Sequence, residues 1–107
     1  MTDDLKWYRA CRKDEIEEED VLGVTIEGRS YAVYWIAEGY FATDGLCTHE
    51  QSPLEEGFVS GDVIECAKHN ARFHIPTGKA VRKPALTDLK TYPTKIEGDE
   101  IYIGIPS

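Results

Sequence analysis

The stretch Val63-Ile64-Glu65-Cys66-Ala67-Lys68-His69-Asn70-Ala71-Arg72-Phe73-His74-Ile75-Pro76-Thr77-Gly78 places a cysteine–histidine pair between two short strand-like runs. Val63-Ile64-Glu65 is brief and apolar. Arg72-Phe73-His74-Ile75 alternates as a half-buried strand does, and Pro76-Thr77-Gly78 ends it. Cys66 and His69 therefore fall on a loop. Upstream, Cys47-Thr48-His49 forms a second pair, with sixteen residues between His49 and Cys66. The chain has three cysteines and three histidines, so the two pairs hold most of its soft ligand chemistry.

Outward from these pairs the pattern stays short and glycine-punctuated. Val24 to Glu27 and Tyr31 to Ile36 flank Gly28-Arg29-Ser30, which reads as a hairpin. Ala37-Glu38-Gly39 turns the chain into Tyr40-Phe41-Ala42-Thr43, and Gly57 to Asp62 reads as another turn. Thr91 to Ile96 and Glu100 to Ile105 bracket Glu97-Gly98-Asp99, a further hairpin signal. Residues 14–19 offer at most one helical turn, and no stretch holds a helical period. The fold class is all-β, a small sandwich or barrel of about eight to ten short strands. Both pairs then lie on loops at one end of a rigid scaffold, a suitable seat for a metal centre.

Composition narrows the function. A chain of 107 residues is expected to form one domain, residues 1–107, and to bury about two-thirds of its unfolded surface. Its 41% hydrophobic content is that of a globular protein. A formal net charge of −8 argues against nucleic acid and against anionic membrane surfaces. No apolar run approaches the roughly 20 residues of a membrane span, and residues 1–20 are polar and acidic, so the expected location is cytoplasmic. Three cysteines, an odd and sparse set, do not make a disulfide framework. Nothing in the sequence demands more than a monomer.

The four residues Cys47, His49, Cys66 and His69 leave two metal readings open. A single structural zinc takes such a Cys₂His₂ set, although its pairs usually enclose two to four residues and the first pair here encloses one. A two-iron cluster takes both cysteines on one iron and both histidines on the other.

Here the sequence resembles a known family. Cys47-x-His49, sixteen residues, then Cys66-x-x-His69 matches the Rieske [2Fe–2S] signature in residue type, order and spacing. Arg72-Phe73, Pro76-Thr77-Gly78 and Pro84-Ala85 resemble the family's cluster loop, following turn and cover loop. The resemblance covers effectively the whole chain. It implies a Rieske-type antiparallel β-sandwich with a small cluster-binding part, about residues 45–85, made of two loops. It also implies a [2Fe–2S] cofactor, with Cys47 and Cys66 on one iron and His49 and His69, at the exposed tip, on the other.

The class within the family follows from departures. High-potential members carry an extra cysteine in each cluster loop, joined as a disulfide; the matching positions are Ser52 and Lys68. Their cluster-facing hydroxyls match Ala71 and Phe73, which have none. Hydrogen bonds to the sulfurs stabilise the reduced cluster, so their loss implies a low potential within the class range of roughly −150 to +300 mV. A stand-alone, low-potential domain is similar to the ferredoxins of bacterial aromatic-ring-hydroxylating dioxygenase systems. That resemblance implies an electron carrier and not an enzyme, with a flavin (FAD) reductase as donor and a terminal Rieske non-haem iron oxygenase as acceptor. Three histidines are too few for the cluster plus a separate 2-His-1-carboxylate iron. The alternatives are the small subunit of a nitrite reductase and a zinc-stabilised β interaction module.

Charge is unevenly distributed. Residues 66–83 carry Lys68, Arg72, Lys79, Arg82 and Lys83 with no acid, whereas residues 14–20 carry six acids. The basic residues are candidates for a collar that steers acidic partners. The acidic run reads as a solvated face. His74 is expected on a strand, exposed and not a ligand, and Cys11 as a small apolar residue of the first strand.

Overall fold

In a computed structural model, residues 4–48, 52–67, 71–82 and 87–106 are described. They form eleven strands and two single-turn 3₁₀ helices, Lys13–Glu15 and Leu54–Glu56. The strands are β1 (Leu5–Arg12), β2 (Asp20–Ile26), β3 (Arg29–Ile36), β4 (Gly39–Asp44), β5 (Phe58–Ser60), β6 (Val63–Glu65), β7 (Arg72–His74), β8 (Ala80–Arg82), β9 (Thr91–Tyr92), β10 (Thr94–Glu97) and β11 (Glu100–Pro106). They make three sheets, ordered β1-β11-β10, β2-β3-β4-β9 and β5-β6-β7-β8. Every strand pairing is antiparallel, so the all-β expectation holds.

β3 explains how three sheets make one structure. Side chains alternate across a strand, and both faces of this one are covered. Tyr31 and Val33 enter a lower core with Cys11, Ile26, Ala42, Ile101 and Ile103. Ala32, Tyr34 and Ile36 enter an upper core with Leu54, Ile64, Phe73, Ile75 and Leu89. Each large apolar side chain buried this way stabilises the fold by about 1.5–3 kcal/mol. The central sheet is thus packed on both sides, where a simple sandwich or barrel would offer one interior.

The hairpin expected at 24–36 is present, shifted by a residue. The turn is Glu27-Gly28, at φ 53° and 78°, and Arg29 already pairs with Ile26. Two consecutive left-handed residues match the right-handed strand twist, so the two-residue turn wins over a three-residue one. Residues 57–62 are not only a turn. Phe58–Ser60 is a strand paired with β6, and Gly61-Asp62 makes the reversal. Pro93, which has no amide hydrogen to give, divides the expected strand at 91–96 into β9 and β10. The helical turn expected near 14–19 appears at Lys13–Glu15.

Two buried polar groups are satisfied within the upper layer. Thr43 Oγ1 donates to Asp44 O at 2.8 Å, so the fully buried Tyr34 hydroxyl donates to Thr43 Oγ1 at 2.9 Å. Burial pushes Tyr34 above the usual tyrosine range. Tyr92 is also raised, first by burial and then by its 2.6 Å hydrogen bond to Asp44. Cys11 lies on β1 as expected, buried, and burial moves its thiol from 9.0 to about 11.

A pH dependence follows with a definite sign. These groups hold their protons more tightly folded than unfolded, so the unfolded chain releases them first and stability falls as pH rises. Urea midpoints should fall between pH 9 and about 11, the window set by Cys11, and Cys11→Ala should remove part of the slope. A midpoint flat across that window would refute the assignment. Tyr34→Phe should cost about 1–2 kcal/mol in the same assay, because Thr43 loses its buried donor.

Candidate metal centre

Two hairpins rise from the upper core, and each begins its tip with one of the paired cysteines. In the first, Leu54 N donates to Gly45 O at 2.8 Å, Leu46 bridges Pro53, and Cys47 N donates to Ser52 O at 2.8 Å. In the second, Glu65 pairs with Arg72, and Cys66 N donates to Ala71 O at 2.7 Å. Both tips are therefore closed by a cysteine amide bonding the carbonyl five residues on. The amides of Cys47 and Cys66 are engaged in those closures.

The cysteines are brought together in burial as well as in pattern. Cys47 and Cys66 are each 1% exposed and belong to one apolar cluster with Leu54, Ile64, Ala71, Phe73 and Leu89. None of the three cysteines forms a disulfide. Cys11 lies in the other core, apart from this pair. His49 and His69 lie outside the described residues, as do Lys68, Lys83, Pro84 and Ala85.

Several supports escape a ligand-only reading of the sequence. Gly45 N donates to Ser30 O at 3.0 Å, and a Cβ there would stand 2.8 Å from the backbone of Ser30 and Tyr31. Only glycine lets the first hairpin rest directly on β3. Gly78, at φ 75°, accepts one backbone bond from Leu89. Leu89 N donates to Gly78 O at 2.7 Å, and a Cβ on Gly78 would lie 2.2 Å from Leu89 O. Thr48 Oγ1 ties the first tip to Thr87 O at 2.8 Å. Of these, only Gly78, in the Pro76-Thr77-Gly78 turn, left a trace in the sequence; Leu89 and Thr48 left none.

His74 is half-buried, not exposed. Its Nε2 lies 2.8 Å from Asp62 Oδ2 and its Nδ1 2.9 Å from Thr77 Oγ1. Ile75 N also bonds Asp62 O at 2.7 Å, so this histidine knits the β5–β6 turn to the turn after β7. Both ring nitrogens are occupied, which agrees with the expectation that His74 is no ligand. Alternation placed it correctly on the outer face; the Asp62 partner, twelve residues back, was not visible.

With this geometry in place, comparison with known proteins is informative. The Rieske [2Fe–2S] domain matches residues 6–93. The chain belongs to the Rieske family. Among its relatives, the ferredoxin component of the naphthalene 1,2-dioxygenase system of Pseudomonas aeruginosa is 45% identical over 100 residues, 94% of this chain and 96% of that one. The solved Sphingomonas yanoikuyae B1 ferredoxin superposes with a TM-score of 0.88 at 34% identity, covering 94% of this chain and 100% of that one. A complex of reduced oxygenase and oxidized ferredoxin in carbazole 1,9a-dioxygenase contains a chain with a TM-score of 0.85 and 30% identity, over 91% of each chain. This Rieske chain is thus of the ferredoxin type, an electron-transfer component and not a catalytic subunit.

The cofactor of a Rieske domain is a [2Fe–2S] cluster, and the residues present fit it. Iron–sulfur ligation needs cysteines withheld from disulfide pairing. Cys47 and Cys66, in one apolar core at the roots of two tied tips and in no disulfide, meet that requirement. Gly78→Ala should test the support. It combines backbone strain with a clash against Leu89 O, so it should cost well over the ~1 kcal/mol of an unstrained change and hasten cluster loss on mild heating, followed by visible absorbance. Wild-type retention would show that the Gly78–Leu89 junction does not matter.

Proposed function

We propose that this chain is a one-electron carrier that takes electrons from a flavin-dependent reductase and delivers them to a terminal ring-hydroxylating Rieske oxygenase. Cys47 and Cys66 hold one iron and His49 and His69 the other, within a cluster-binding part of about residues 45–85 in a single domain. The observation that carries the reading is the pair of buried thiols, each starting a tip closed by the same amide-to-carbonyl bond. When bound, the cluster supplies reversible one-electron chemistry. The protein's share is to bury the sulfur side, exclude water and fix the two tips.

Relatives named for naphthalene and biphenyl dioxygenase systems, at 45% and 35% identity, support the oxygenase as acceptor. The same names favour this reading over a nitrite reductase subunit or a zinc module. A reductase donor follows from what a carrier between components requires. Ala71 and Phe73, both fully buried and without hydroxyls, support a potential low in the Rieske range. The working form is a monomer in the cytoplasm; among the described residues no helix is long and apolar enough to cross a membrane.

Charge distribution supports steering. The register of β2, β3 and β4 puts Asp20 beside Trp35 and Trp35 beside Tyr40, at the end of the central sheet away from Asp44 and the first cysteine hairpin. Glu17, Glu18, Glu19 and Asp20 are exposed at that far end. The basic residues follow Cys66. Arg72, expected in the basic collar, is instead ion-paired with Glu65 at 2.9 Å, so Lys68, Lys79 and Lys83 are the better steering candidates.

Oxygen-protected protein should contain two irons and two labile sulfides per chain. Cys66→Ser should lose the visible Rieske absorbance. Zinc in place of iron and sulfide would overturn the carrier reading. Lys68→Glu and Lys79→Glu should slow oxygenase reduction several-fold at low salt and little at high salt, because exposed charges are screened. Equal slowing at all ionic strengths would remove steering.

A further inference from the structure

We infer that Glu65 and Arg72 are a self-cancelling charge pair that tunes the reduction potential of the cluster held through Cys66. The inference rests on the carrier reading above and goes beyond it. Glu65 directly precedes Cys66, Arg72 directly follows Ala71, and the two residues are paired across β6 and β7. They form the root of the second tip, one residue below the bond from Cys66 N to Ala71 O. Arg72 Nε donates to Glu65 Oε1 at 3.0 Å, and Nη2 reaches the same oxygen at 2.9 Å. The Glu65 side chain is 25% exposed.

Solvent screens the pair only in part, since Glu65 is half-buried while Arg72 is exposed. Glu65 and Arg72 line a shallow groove of about 290 Å³ on the outer face of the third sheet, together with Ser60, Val63 and Val81. Phe58 lies opposite Glu65 on β5. A full charge in such a site acts over several ångströms with less attenuation than in bulk water.

The sign of each effect follows from Coulomb's law. Reduction adds one negative charge to the cluster. The Arg72 cation favours that change and the Glu65 carboxylate opposes it, so together they nearly cancel. A purely mechanical clamp behaves differently, because breaking it from either side loosens the same hairpin. Opposite shifts from the two partners therefore separate electrostatic tuning from scaffolding.

The experiment is a redox titration of anaerobically purified, cluster-loaded protein, with iron, sulfide and electron paramagnetic resonance measured on each sample. Glu65→Gln should raise the midpoint potential and Arg72→Gln should lower it. The double variant should return close to wild type, and Arg72→Lys, which keeps the charge, should stay close as well. Both single shifts should shrink as salt is raised. Lys95→Gln serves as a control, since its ammonium lies over Trp7 on the first sheet, and it should leave the potential unchanged. Single variants that shift together, or that keep a wild-type spectrum and potential, overturn the inference. So does a Lys95→Gln shift equal to that of Arg72→Gln, which would make net charge and not position the cause. Wild-type protein without iron and sulfide would instead overturn the carrier reading, a separate outcome read from the metal analysis. If neither glutamine variant retains the cluster, the charge-swapped Glu65→Arg, Arg72→Glu protein decides, with a near-wild-type potential expected and a large shift refuting.

Discussion

The double burial of β3 is the constraint on which the structure depends. A strand between two cores must supply apolar side chains at consecutive positions, and Tyr31-Ala32-Val33-Tyr34-Trp35-Ile36 does so. Its odd positions close the lower core and its even positions the upper one. A one-residue slip in register would exchange the two sets, so the pairing with β2 and β4 is strongly specified. The first cysteine hairpin is set directly against this strand through Gly45. Whatever fixes β3 also fixes one half of the proposed centre.

The second half is built differently and ends in the same local geometry. β6 and β7 are three residues each, too short to stand alone, and they depend on Ile64, Phe73 and Ile75 entering the upper core. The shared closure, cysteine amide to the carbonyl five residues on, has a chemical consequence. Those amides are committed within their own loops, so sulfur-directed hydrogen bonds have to come from other donors. Ala71 and Phe73 offer no hydroxyl, which is the physical ground for the low potential proposed above.

Much of this was legible in the sequence, for identifiable reasons. The two cysteine–histidine pairs proposed as ligands stood out because cysteine and histidine are scarce and their spacing is specific. The all-β class was visible in short apolar runs bounded by glycine. The continuous run at 31–36 was itself a sign of burial on both faces, while of the third sheet only the inner strands, β6 and β7, were visible as such. Its edge strands were hidden because they look like loop. Phe58–Ser60 sits between glycines, and Ala80–Arg82 carries an exposed Val81 and flanking charge. The pairings of His74 with Asp62 and of Thr48 with Thr87 join residues far apart in sequence, where no local pattern could announce them.

An acidic carrier with a basic end has a particular physics. A net charge of −8 repels an acidic partner at long range, so the proposed steering by Lys68, Lys79 and Lys83 acts only at short range. Glu17 to Asp20 sit at the far end of the central sheet, away from the cysteine hairpins, whereas Glu55 and Glu56 are exposed in the first hairpin and offset part of the basic charge. That balance suits the proposed carrier, which has to release its partners quickly, since affinity is governed mostly by how fast a complex separates. Pairing Arg72 with Glu65 fits the same economy. It withdraws a positive charge from docking, which weakens adhesion, and the Glu65 carboxylate nearly cancels its field at the proposed centre.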